Sequence, residues 1–109
     1  MKAWDVFDYP FAWGTHPAVI ISHDRRVANK PEVVILACRT MHADTYREPD
    51  ALECLLDESD GLDWKTLCKC DLLFTVRKAD LRNRRGVVSV SRRRDIASKL
   101  IQGLAIAGL

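Results

Sequence analysis

Two runs of β-branched and aliphatic residues, Ala18–Ile21 and Val33–Cys38, constrain this chain most. Neither alternates with polar residues, so each reads as a strand buried on both faces, central to a sheet. The segment Trp13-Gly14-Thr15-His16-Pro17 leads into the first run, and Arg39-Thr40 closes the second. A histidine, an arginine and a hydroxyl are thereby expected together, where a loop meets two strand ends.

The remaining elements follow from local pattern. Trp4–Tyr9 alternates large apolar with polar residues and predicts a half-buried first strand. Pro10 and Gly14 punctuate a loop reaching Pro17, and His23–Pro31 reads as a polar connection with Asn29-Lys30-Pro31 as its turn signal. Glu32–Cys38 is the third strand, Arg39–Pro49 a loop, Ala51–Leu56 a fourth strand and Asp57–Trp64 a turn-rich connection. Leu67–Val76 predicts a fifth strand with a bulge, since Cys68, Cys70 and Leu72 share one face and Leu67 and Leu73 the other. Lys78–Arg85 reads as a single helical or 3₁₀ turn and Gly86–Val88 as a short last strand. Ser89 or Ser91 then caps a terminal helix, with Ile96, Leu100, Ile101 and Leu104 on its apolar stripe and Arg92, Arg93 and Lys99 in water. Short, closely spaced strands plus one helix imply a mainly β fold: a small, curled antiparallel barrel with a C-terminal α-helix.

At 109 residues, with 48% hydrophobic and 29% charged residues, the chain is expected to be one soluble domain, residues 1–109. No run approaches the ~20 apolar residues of a membrane span, and no signal peptide is legible at Met1, so a cytoplasmic location and no membrane partner are expected. Cys38, Cys54, Cys68 and Cys70 fall in strands and read as reduced, buried packing residues. The Cys68-Lys69-Cys70 spacing is too close for a structural zinc pair, and no metal or other cofactor is predicted. Charge is segregated: every charge from Glu48 to Asp63 is acidic, while Arg77 to Arg94 is mostly basic. Such a basic run serves either as a solvated face or as an attractor of phosphate backbones.

The order of short motifs resembles the PemK/MazF toxins of type II toxin–antitoxin systems. Gly14-Thr15-His16-Pro17-Ala18-Val19-Ile20-Ile21-Ser22 is similar to the family's Gly-x-Arg-Pro-Ala-aliphatic-Ser segment, and Val34–Thr40 to its strand ending in Thr-Ser or Thr-Thr. Asp60-Gly61-Leu62, the acidic Asp71, Lys78-Ala79-Asp80-Leu81 and Gly86-Val87-Val88-Ser89 follow in the family's order. The resemblance implies an SH3-like barrel, a homodimer, a cognate antitoxin and a metal-independent endoribonuclease acting on single-stranded RNA. Where relatives carry Arg before the Pro this chain has His16, and where they carry the first Thr it has Arg39, followed by Thr40. Its first hairpin loop is also shorter and lacks the Gly-Ser-Glu-Gln stretch that contacts RNA in relatives.

Cleavage of RNA by its own 2′-hydroxyl needs a base, an acid and positive charge at the phosphate. An imidazole, titrating at about 6.5, fills either proton role, while a guanidinium offers forked donors to two phosphate oxygens. The candidate catalytic residues are therefore His16, Arg39 and Thr40, an arrangement in which Arg and His have exchanged places relative to the family. The alternatives are a surface histidine and an Arg39 paired with Asp71 or Asp44. Candidate RNA-binding residues are Arg25, Arg26 and Lys30, taken to track phosphates near the site, and Trp13, which either stacks on a base or plugs the barrel mouth. Phe11 and Tyr46 are further stacking candidates, and the arginines from Arg84 to Arg94 could meet an acidic antitoxin tail. Beside the nuclease stand two other readings: a binding protein on the same scaffold without catalysis, and a toxin with another target such as gyrase. The apolar stretch Leu104–Leu109 weakly supports a dimer.

Overall fold

The computed structural model describes residues 1–104; most of the Leu104–Leu109 stretch read as a dimer signal therefore lies outside the described residues. The elements are β1 (Asp5–Phe11), β2 (Gly14–Ile20), α1 (Asp24–Asn29), β3 (Glu32–Thr40), β4 (Glu53–Leu56), β5 (Thr66–Arg77), β6 (Arg82–Val87) and α2 (Val90–Gly103). The six strands form one antiparallel sheet in the order β4-β5-β3-β2-β1-β6. The fold is thus mainly β, a curled half-barrel with a C-terminal helix, whose edges are β4 and β6.

The uninterrupted apolar runs have the two-sided burial they imply. Val19 and Leu36 face one core with Val6, Leu56, Val88 and Ile96 of α2. Ala18, Ile20, Ile35 and Ala37 face a second, with Phe11, Val27, Val33 and Val76. At roughly 1.5–3 kcal/mol per buried aliphatic side chain, these paired layers dominate the stability of the sheet. The four cysteines are free and buried on the α2 side, and Cys68 stands opposite both Cys38 and Cys54 across the ladders.

Several expectations need correction. His23–Pro31 is no mere loop: its middle forms α1, because His23 Nδ1 accepts from the backbone N–H of Arg25 at 3.1 Å and Val27 is buried. One buried residue in six gives no visible period. The first connection is also tighter than the spacing from Pro10 to Pro17 suggests. β1 and β2 are joined through Ala12 and Trp13, with Phe11 opposite Gly14. Pro17 is tolerated inside β2 because the β2–β3 ladder begins only at Ala18, so no ladder bond is lost. The Arg39–Pro49 loop keeps two residues of β3 and a short 3₁₀ turn at Ala43–Thr45. Only Lys78–Asp80 forms the predicted turn; Arg82–Arg85 belongs to β6, a charged edge strand.

Half of the basic run is neutralised within the chain: of its eight cations, Arg77, Arg84, Arg85 and Arg92 pair with carboxylates. Arg84 pairs with buried Asp5 and Arg85 with buried Asp8, both at 3.2 Å. Arg92 does not keep to water. Its guanidinium donates to Asp57 at 3.1 Å, to the fully buried Asp60 at 2.5 Å and to the Leu55 carbonyl oxygen at 2.8 Å. Asp60 also accepts from the backbone N–H of Ser89 at 2.8 Å, tying the start of α2 to the acidic segment. Lys99 likewise donates to the Glu53 carbonyl oxygen at 2.8 Å, while Ile101 and Leu104, expected on the apolar stripe, are exposed. Gly86 allows this closure, because a Cβ there would lie 2.0 Å from the Asp60 backbone oxygen.

Candidate active site

Antiparallel topology brings the β1–β2 turn and the C-terminal end of β3 to the same end of the sheet. Trp13, His16, Ala37, Cys38, Arg39, Lys69, Leu72 and Phe74 line one cavity there, of about 510 Å³. Three of the sequence candidates, Trp13, His16 and Arg39, are therefore neighbours. His16 is a strand residue opposite Tyr9 rather than a loop residue.

Its imidazole lies back over Gly14, where a Cβ would come within 3.3 Å of Nε2. Gly14 also has φ +130°, a region that side-chain-bearing residues rarely adopt, so the backbone requires glycine here, and a Cβ would further push the imidazole by a few tenths of an ångström. Trp13 stacks on Phe11 with ring centroids 4.8 Å apart and packs on Phe74 at 5.7 Å, yet remains 57% exposed. It forms an open aromatic wall rather than a plug.

Arg39 is exposed, and among the described residues no carboxylate pairs with it, neither Asp71 nor Asp44. Lys69 supplies a third nitrogen centre, unrecognised in the sequence because Cys68 and Cys70 drew attention to the strand's packing face. It reaches the cavity by strand alternation: Leu67 pairs with Arg39, and Lys69, two residues on, lies on the same face, just before the register changes. Leu36 pairs with Leu73 but Cys38 with Cys68, so β5 carries extra residues between them and bows away from β3. The Lys69 Nζ donates to Glu53 Oε2 at 2.9 Å. Buried Glu53 also accepts from Arg47 Nη1 at 2.6 Å and Nη2 at 2.9 Å, and from the Asp50 backbone N–H at 3.0 Å. The Arg47 guanidinium, aided by the Asp50 N–H and Lys69, holds its carboxyl well below the usual range against the opposing effect of burial. Glu53 thus stays ionised and fixes Lys69 as a cation at the cavity wall.

The other candidates lie elsewhere. Thr40 follows Arg39 in β3, so alternation turns it to the opposite face, beside Thr66; it does not line the cavity. Arg25, Arg26 and Lys30 belong to α1 and its C-cap, at the far end of β2, so they are not near His16 as expected. Roughly 20 Å of strand separates the two ends.

A family model describing PemK-like, MazF-like toxins of type II toxin–antitoxin systems matches residues 11–104. The fold is similar to that of an endoribonuclease in complex with its cognate antitoxin from a mycobacterial species, at TM-score 0.83 and 21% identity, over 96% of this chain and 95% of that one. It is also similar to the Mycobacterium tuberculosis toxin MazF-mt6, at TM-score 0.77 and 19% identity over 92% and 95% of the two chains. A MazE-MazF crystal structure from Deinococcus radiodurans matches at TM-score 0.73 and 13% identity, over 95% and 94%. A comparison with curated protein sequences finds no match. Motif order, sheet topology and the extent of the family match agree: this chain belongs to the PemK-like, MazF-like toxins of type II toxin–antitoxin systems.

Proposed function

We propose that the chain is an endoribonuclease toxin that cuts single-stranded RNA in the cavity lined by His16 and Arg39, without a metal. The observation that carries this reading is the convergence, from three strands, of an imidazole, an unpaired guanidinium and a fixed ammonium on one hollow. Arg39 and Lys69 have only donors to offer, so they suit the nonbridging oxygens of a phosphodiester. His16 takes the proton of the 2′-hydroxyl as its oxygen bonds to phosphorus. The bond from phosphorus to the 5′-oxygen breaks, and that oxygen takes a proton from solvent. The products are a 2′,3′-cyclic phosphate and a 5′-hydroxyl, and no oxidant or cofactor enters. Trp13 stacks on a base beside the scissile phosphate.

The partners we infer are a cognate antitoxin, as found with the mycobacterial and Deinococcus relatives, and a second copy of the chain. The proposed site of action is the cytoplasm; among the described residues no helix is long and apolar enough to cross a membrane. The orientation of Thr40 favours one other reading, a binding protein on this scaffold without catalysis, since the hydroxyl expected at the phosphate is turned away. Incubating single-stranded RNA with the protein in excess EDTA separates the two. The nuclease reading predicts cutting that falls about 10²–10⁴-fold in His16→Ala, the usual general acid–base contribution. Intact RNA with the parent protein overturns it.

A further inference from the structure

A second cleft of about 480 Å³ lies beyond the end of β3, lined by Met41, His42, Tyr46, Trp64 and Lys65, with Asp63 at its rim. Its composition is unusual for a solvent-facing surface. Trp64 is 55% and Tyr46 42% exposed. The His42 and Trp64 rings meet edge to face with centroids 5.6 Å apart. The Lys65 ammonium sits 4.8 Å from the centre of the Tyr46 ring. Asp63 is countered by Arg85 at 3.5 Å, and the Tyr46 hydroxyl donates to Glu48 at 3.2 Å, which anchors the ring at its far end. Aromatic faces left open beside a cation suit a flat, electron-rich ring attached to a negatively charged backbone.

Two connections join this cleft to the first cavity. Met41 extends the β3–β5 ladder through its N–H to the Lys65 carbonyl oxygen at 2.8 Å. It therefore shares a face with Arg39, one two-residue step or about 6.6 Å away. The second connection is the ionic chain Lys69–Glu53–Arg47, which ties the cavity wall to the loop carrying His42 and Tyr46. A strand of RNA held at Arg39 and Lys69 can thus place a neighbouring nucleotide over the aromatic cleft without leaving this face.

We infer that the His42–Tyr46–Trp64 cleft is a stacking subsite for an unpaired nucleobase flanking the phosphate held at His16 and Arg39. The inference deepens the RNA-cleaving reading and rests on it. The test measures binding of an uncleavable 2′-O-methyl hexanucleotide and of a dinucleotide carrying a single phosphodiester. The double variant Tyr46→Ala/Trp64→Ala should bind the hexanucleotide about 5- to 150-fold more weakly per stacked base and the dinucleotide as the parent does. Trp64→Phe, which keeps an aromatic face, should recover most of the loss and shows that folding is intact. Equal hexanucleotide affinity in parent and double variant overturns the subsite alone. Unchanged RNA binding together with lost binding of an acidic antitoxin peptide also overturns it, and reassigns the cleft to a protein partner. A parent that binds neither oligonucleotide overturns the RNA reading itself.

Discussion

Substituting Glu53 with glutamine removes one charge at nearly constant shape and should be felt both in the fold and in the cavity. The carboxylate accepts bonds from Arg47, Lys69 and the Asp50 backbone, and it is buried. A glutamine keeps one acceptor oxygen but turns an NH₂ group toward the remaining donors, so about two charge-assisted bonds are lost. At about 1.5–3 kcal/mol each, reduced because the Arg47 and Lys69 side chains are 44% and 31% exposed, the cost is about 2–4 kcal/mol at pH 7. For a chain of this size that is a fall in Tm of roughly 8–16 °C. The pH dependence has a definite sign. The Glu53 carboxyl titrates lower in the folded chain than unfolded, so its stabilisation is full above the unfolded value of about 4.3 and is lost progressively as the pH falls below it. Glutamine does not titrate, so the gap between parent and Glu53→Gln should narrow between pH 7 and pH 3. Urea unfolding at the two pH values measures it. A loss below about 0.5 kcal/mol at pH 7, or a gap unchanged at pH 3, would refute the reasoning, since either means the carboxylate is not the ionised hub of this network.

Other outcomes follow from the same geometry. Arg92→Ala should lower stability by about 2–4 kcal/mol in urea unfolding, because Asp60 is left buried with only the Asp57 and Ser89 backbone N–H groups; a loss under 1 kcal/mol contradicts that. The buried thiols should resist iodoacetamide at pH 8 until the protein is denatured, since burial and nearby Asp95 push Cys54 up to about 12 and Cys68 and Cys70 are also raised. Rapid labelling of the native chain counts against this packing. Gly14→Ala should slow RNA cutting more than it weakens RNA binding, because a Cβ at φ +130° strains the hairpin and crowds the imidazole, while Arg39 and Lys69 lie on other strands. Equal effects on both would mean that the imidazole's position does not matter.

What could be read from the residues was what burial dictates. Ala18–Ile20 and Val33–Ala37 have no polar alternation, so two-sided cover, and with it a curled central sheet, was legible without coordinates. Of β6 only the end, Gly86–Val87, was legible, because Arg82, Arg84 and Arg85 give an edge strand no apolar signature. Their partners Asp5 and Asp8 lie some 77 or more residues away in sequence. The same long-range pairing hid the fate of Arg84, Arg85 and Arg92, which meet the chain's own carboxylates. In the candidate site, His16 and Arg39 could be placed together because a short hairpin and a neighbouring strand share an end. Lys69 follows from plain alternation, since Cys68 and Cys70 face the core and the residue between them faces the cavity side, but its partner Glu53, which fixes it there, lies 16 residues away in sequence. Thr40 was misplaced by proximity in sequence: one step along a strand reverses the face. Arg25, Arg26 and Lys30 were misplaced because the direction of β2 carries its following loop away from the hairpin end.

The central claim is that the 2′-hydroxyl of RNA is the nucleophile in the His16–Arg39 cavity. A single-stranded oligoribonucleotide is first mapped for its cut site, then resynthesised with one 2′-deoxy residue immediately 5′ to the scissile phosphate. The parent substrate should end in a 2′,3′-cyclic phosphate, and the deoxy substrate should stay uncut at that position. Cutting of the deoxy substrate at the parent rate would contradict the claim.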